Sequence, residues 1–175
     1  MKKQHDTRRG PVLVHFNEHA ENVEWFWSVL AAGLTPAISN PLSHSQEDRD
    51  KYLRHIRATL DISMVITSEA HRQHFQVLER LGVKVISIEH LRAVMPENGN
   101  VIKSDTVLPT QGPIAFFMFT SGSTGAAKAV GLTHDMVASS ISGKSIANRT
   151  SKADVFLNWI GVYPPISHIT SISDC

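Results

Sequence analysis

A single cysteine, Cys175 at the last position, leaves this sequence without an internal disulfide. A disulfide-stapled scaffold is thereby excluded, and a reducing, cytoplasmic setting is expected. Long apolar runs are missing as well. None approaches the roughly 18 residues of a membrane span. The charged start, MKKQHDTRRG, is followed only by the short stretch PVLVHF, with no small-residue cleavage site. Charge of one sign is also lacking: 17 Lys and Arg against 16 Asp and Glu leave a net +1, with both signs scattered. Neither nucleic acid nor an anionic membrane has an electrostatic case as a partner. There is no internal repeat and no low-complexity tract. What is present, 42% hydrophobic residues in a length of 175, suffices for one domain with a sizeable core.

Periodicity divides the first half into alternating elements. Pro11 to Phe16 (PVLVHF), Thr35 to Ser39 (TPAIS), Ser63 to Thr67 (SMVIT) and Val83 to Ile88 (VKVISI) read as short strands rich in β-branched residues. Between them, Glu18 to Ala32, Ser45 to Leu60 and Glu69 to Leu81 carry apolar residues at helical spacing, with Gly33 and Gly82 as C-terminal stops. Strands alternating with helices predict an α/β fold, a layered and mainly parallel sheet flanked by helices, with right-handed crossovers. Residues 95–113 hold Pro96, Gly99, Pro109, Gly112 and Pro113 and read as a surface connection. Ile114 to Phe119 (IAFFMF) is a near-continuous apolar run, expected of a strand covered on both faces. Ala129 to Leu132 reads as a further short strand, and Thr133 as the N-cap of a helix from His134 to about Ala147.

The chemistry concentrates in Thr120, Ser121, Gly122, Ser123, Thr124 and Gly125, followed by Lys128. Glycines allow positive φ and let several backbone N–H groups converge on one anion; hydroxyls add donors, and Lys128 adds a charge that reaches a phosphate. A solvated turn between two strands uses the same residue types, so composition leaves both readings open. Named motifs narrow the choice. Gly143-Lys144-Ser145 ends like a Walker A loop, but its required first glycine falls on Ala138. A nucleophile elbow around Ser123 fails because Ser121 stands where glycine is needed. His15 and His19 straddle a strand and a helix start, while His71 and His74 are three apart on a helix with no further ligand cluster in sequence. Neither pair reads as a metal site. Trp27, with Phe26 and Leu30, reads as core packing.

The order Thr120-Ser-Gly-Ser-Thr-Gly-Ala-Ala-Lys128-Ala-Val, then Leu132-Thr133-His134, resembles the phosphate loop of the adenylate-forming (AMP-binding, acyl-adenylating) enzymes. Two positions depart from that pattern: Ala127 stands where proline is usual and Ala129 where glycine is usual. Both are small, so close packing survives, although Ala127 leaves the loop less rigid. FWSVLAAGLTPAISNP (26–41) and DISMVITSEA (61–70) resemble the family's upstream helix and strands. FLNWI (156–160), preceded by TSKADV, is most similar to the adenylation domains of fungal nonribosomal-peptide-synthetase-like proteins.

That resemblance implies part of the large N-terminal domain of a ligase that activates a carboxylic acid with ATP, forming an acyl-adenylate and releasing pyrophosphate. On this basis Thr120, Ser121, Ser123, Thr124 and the Gly122 and Gly125 backbone hold the ATP phosphates, and Lys128 neutralises the departing charge. Mg²⁺ bridges phosphate oxygens, and His134 either belongs to the helix start or approaches the acyl pocket. No catalytic residue is assigned, because the family's C-terminal lysine is not within this sequence. The family's adenine-binding segment and ribose aspartate are not within it either, so the resemblance implies a truncated ligase. The alternative is a non-enzymatic α/β remnant or partner-binding module with a vestigial loop. The expected organisation is a flexible N-terminus over 1–10, a partial adenylation domain over 11–161, and an aberrant, disordered tail over 162–175, where VYPPISHITSISDC departs from the resemblance. Apolar surface left on the IAFFMF strand is expected to drive self-association.

Overall fold

A computed structural model describes residues 10–94, 114–120, 127–151 and Asp154. The surface connection expected over 95–113, residues 1–9 of the flexible start expected over 1–10, and the tail over 162–175 lie outside the described residues. One sheet organises the rest. Its strands are β1 (Val12–Val14), β2 (Pro36–Ile38), β3 (Met64–Thr67), β4 (Lys84–Ser87), β5 (Ile114–Thr120) and β6 (Lys128–Thr133), in the order β4-β3-β1-β2-β5-β6. All pairings are parallel except β5 with β6.

The helices follow from the same patterning. α1 (His19–Ala31) links β1 to β2, and α2 (Gln46–Leu60) carries the chain back across β1 to β3. Ser45 caps α2, its Oγ accepting from the Asp48 N–H at 3.4 Å. The helix predicted over 69–81 is divided into α3 (Glu69–Arg72), a 3₁₀ turn at Gln73–Phe75 and α4 (Gln76–Arg80). The tighter turn brings Phe75, Val77 and Leu78 all to the core side. α4 ends at Gly82, whose φ of +81° is cheap only for glycine.

Two further features differ from the sequence reading. Ile88 opens a helix, α5 (Ile88–Val94), instead of closing β4. Ser87 drives the change: its hydroxyl accepts from the His90 N–H at 3.3 Å, as a cap does. In addition β6 starts at Lys128 and runs antiparallel to β5. A connection as short as 121–127 closes a hairpin but is too short for a parallel crossover.

Alternation along each strand separates two apolar layers. Val12 and Val14 face α1 through Phe26 and Val29, with Phe116 and Met118 of β5 on the same side. Leu13, Val65 and Phe119 face Leu53 and Ile56 of α2 and Phe75 and Leu78 beyond. β5 is therefore covered on both faces by the chain itself, with Phe116, Met118 and Phe119 at most 2% exposed. Among the described residues, the exposed large apolar side chains are instead Leu81, Val94, Val130 on β6, and Met136 and Ile146 on α6 (His134–Asn148). Among the described residues no helix is long and apolar enough to cross a membrane.

Candidate functional site

The Gly/Ser/Thr segment is strung between the ends of β5 and β6. The ladder register sets Thr120 opposite Lys128, Phe119 opposite Ala129 and Met118 opposite Val130. Directly opposed residues share a face of the sheet, so the Thr120 hydroxyl and the Lys128 ammonium leave it on the same side. Thr120 is half-buried and Lys128 is exposed. Ser121, Gly122, Ser123, Thr124 and Gly125 lie outside the described residues. Their two stems are well defined because β5 is held by β2 on its other edge, Ala37 pairing with Phe117 and Ile38 with Met118. Gly131 lets the stems close. A Cβ there would come within 3.0 Å of Ile114 Cδ1 and 3.1 Å of Phe117 Cε1.

Beyond β6, the Thr133 Oγ1 accepts from the Met136 N–H at 3.1 Å and caps α6. His134 occupies the first turn, half-buried, so the hydroxyl beside it makes the cap.

A second group of polar residues escaped sequence reasoning. The order β4-β3-β1-β2 has its topological switch between β1 and β3, the crevice where doubly wound sheets commonly take ligands. Just past the carboxyl ends of those strands, His15 and His71 stand edge to face with centroids 5.9 Å apart, and His71 and His74 are 5.7 Å apart. The Asn17 amide donates to His71 Nε2 at 2.9 Å, which leaves the proton on Nδ1, and that nitrogen donates to Ser68 Oγ at 2.8 Å. His15 is 2% exposed, and its Nδ1 has no hydrogen-bond partner among the described residues. Burial, reinforced by the neighbouring His71 and His74, lowers the His15 pKa from 6.5 to about 3. Burial, then Arg49 and His71, lowers that of His74. The sequence placed His71 and His74 on one helix, but only the strand order brings His15 to them. Among the described residues no group of His, Cys, Asp or Glu side chains is arranged to hold a metal ion.

The described residues form a mainly parallel sheet with helices on both faces, closed by a hairpin whose stems end in Thr120 and Lys128. The overall fold matches McyG A-PCP complexed with phenylalanyl-adenylate, with a TM-score of 0.72 at 24% identity over 94% of this chain and 26% of that one. It also matches a fatty acyl-adenylate ligase from L. pneumophila in complex with acyl adenylate and pyrophosphate, with a TM-score of 0.73 at 19% identity over 97% of this chain and 29% of that one. The sequence profile of the AMP-binding enzymes matches residues 3–175, and the chain belongs to that family. Its relatives include the nonribosomal peptide synthetase acyN of Ascocoryne sarcoides, 38% identical over 164 residues. Microperfuranone synthase of Emericella nidulans is 36% identical over 163 residues. In each case the match covers 93% of this chain and 17% of the relative, so the chain spans about a sixth of their length.

Proposed function

We propose that the chain is a portion of an ATP-dependent acyl-adenylating ligase and contributes the cradle for the nucleotide's phosphates. Thr120, Ser121, Ser123 and Thr124 supply hydroxyls, Gly122 and Gly125 supply backbone N–H groups, and Lys128 supplies the positive charge. The observation that carries this reading is the register that sets Thr120 across from Lys128, with the hydroxyl- and glycine-rich segment strung between them. Two neighbours of the same fold support it: one holds phenylalanyl-adenylate, the other acyl adenylate and pyrophosphate.

The chemistry follows from charge. When a carboxylate attacks the α-phosphorus of ATP, negative charge grows on the departing pyrophosphate. N–H groups and an ammonium fixed beforehand around those oxygens stabilise it without reorganising. Mg²⁺, when bound with the nucleotide, would supply further positive charge to the phosphates beside Lys128. The stems IAFFMFT and KAVGLT offer hydroxyls and no carboxylate, so the protein alone provides a poor cage for it. We assign His134 to the helix start and keep it outside the phosphate set. We further assign the chain to the cytoplasm and assign self-association to the apolar surface at Val130, Met136 and Ile146. Light scattering of the purified chain tests the latter, and a strictly monomeric species at high concentration refutes it.

ATP titration of the chain tests the cradle. Lys128→Ala should weaken binding about tenfold or more, the worth of a hydrogen bond to a charged group, and Gly122→Val should abolish it. Equal binding by wild type and both variants would sink the assignment. We expect no carboxylate-dependent pyrophosphate exchange from the chain alone, because it spans only 17% of its relatives. Measurable exchange would show that these residues suffice for catalysis.

A further inference from the structure

We propose that α2 is a clamp on both stems of the phosphate loop, with Tyr52 and His55 as its positioning residues. The proposal rests on the reading of residues 120–128 given above. Tyr52 and His55 stand three residues apart on α2 and so share one side of the helix. Tyr52 packs edge-on against Phe119, the residue before Thr120, with ring centroids 6.2 Å apart and planes at 72°. Its hydroxyl accepts from the Asn40 N–H at 3.2 Å, just past the end of β2, the strand on which β5 is paired. His55 reaches the other stem: its Nε2 lies 2.7 Å from the carbonyl oxygen of Ala127, the residue before Lys128. A carbonyl only accepts, so Nε2 carries the proton and donates.

The helix is a rigid base for both contacts. Leu53 and Ile56, between and beside the two residues, are 0% exposed, and Ala127 and Ala129 pack against the same apolar cluster. One helix thus touches the residue immediately before each end of the Thr120–Lys128 pair. Two consequences follow. Fixing both ends beforehand reduces the ordering cost that phosphate binding would otherwise carry, which is preorganisation. The clamp also compensates for a local weakness. Alanine at 127 leaves φ free where a proline would fix it, and the His55 bond restrains that residue from outside the loop.

Hydrogen-exchange mass spectrometry on the full 175-residue chain, run beside ATP titration, tests this. His55→Ala should accelerate exchange in peptides spanning 120–130 by about three- to tenfold, the worth of one net hydrogen bond, and weaken ATP by a similar factor. His55→Gln places an amide N–H at nearly the same reach and should restore both. Tyr52→Phe keeps the ring and loses the Asn40 contact, so exchange should rise at the β2 and β5 ends only. Unchanged exchange in His55→Ala overturns the clamp. So does failure of glutamine to rescue, which would assign the effect to ring packing alone. If no chain binds ATP, the phosphate reading fails, and the exchange rates still decide the clamp.

Discussion

Replacing Asn22 should cost the fold more than any other single polar change on α1. Asn22 is 0% exposed, in the first turns of α1, with its amide against the end of β1. Its Oδ1 accepts from the Phe16 N–H at 3.2 Å, and its Nδ2 donates to the Phe16 carbonyl at 2.7 Å and the Glu18 carbonyl at 3.0 Å. Glu18, the N-cap residue, makes no side-chain capping bond, so Asn22 does the joining of strand to helix from inside. At about 1 kcal/mol net for each bond, Asn22→Ala should cost about 3 kcal/mol. With a urea slope of about 2 kcal/mol per molar, the midpoint should fall by about 1.5 M. Asn22→Asp is the sharper probe. It is isosteric and keeps an acceptor for Phe16, yet it sets a carboxylate oxygen against two carbonyls. It should be at least as destabilising as alanine at pH 7 and should recover partly in acid, where a protonated carboxyl can donate. Urea unfolding of the three chains at pH 7 and pH 4 measures this. A midpoint for Asn22→Asp equal to wild type at pH 7 would refute the donor assignment.

Acid should destabilise the fold through His15. Its folded pKa of about 3 lies below its ordinary 6.5, so the unfolded chain binds the proton first as pH falls. The stability His15 preserves is complete above pH 6.5 and is lost progressively towards pH 3, at up to about 1.4 kcal/mol per pH unit. His15→Leu should flatten that part of the profile, and an unaltered slope in urea midpoints from pH 7 to 4 would contradict the cause given. Gly10→Ala would bring a Cβ to 2.0 Å from the Asp61 backbone carbonyl, where no flexible side chain can yield. We expect a loss of more than about 2 kcal/mol, and a thermal midpoint unchanged from wild type would show that the chain start relaxes freely. Thr133→Ala removes the α6 cap and should cost about 1 kcal/mol, whereas Thr133→Ser should retain most of it. Calorimetry of the pair checks this.

Much of the architecture was legible because its signals are local. Short runs rich in β-branched residues marked β1 to β4, the near-continuous apolar run IAFFMF marked β5, and Ser45 and Thr133 marked the starts of α2 and α6, where both hydroxyls accept the capping bond. The opening of α5 was hidden because Ile88 continues the apolar run of β4, and the Ser87 cap is visible only once the chain has turned. The antiparallel course of β6 was equally hidden, since periodicity carries no strand direction. For the candidate site, order along the chain displayed Thr120 and Lys128, and the ladder then set them face to face. His55 and Tyr52 gave no signal at all. They lie far from the loop in sequence, and only the packing of α2 under β5 and β6 relates them to it.

The sheet order also bears on the sequence of events in folding. β1 to β4 are joined by successive crossovers, so their pairings close shorter stretches of chain than the pairing of β2 with β5 does. β5 docks on β2, not beside β4, and Ala37 must find Phe117 from the far end of the sheet. Contacts of such separation carry a larger loop-closure cost and slow assembly. The β5–β6 hairpin is local and can close early, but its place on the sheet is completed only after the first units exist. We therefore expect the β5 and β6 stems to be the last element to gain protection in pulse-labelled refolding, with β1 and β3 among the first. Protection of β5 in step with β1 would show instead that the sheet condenses as one unit.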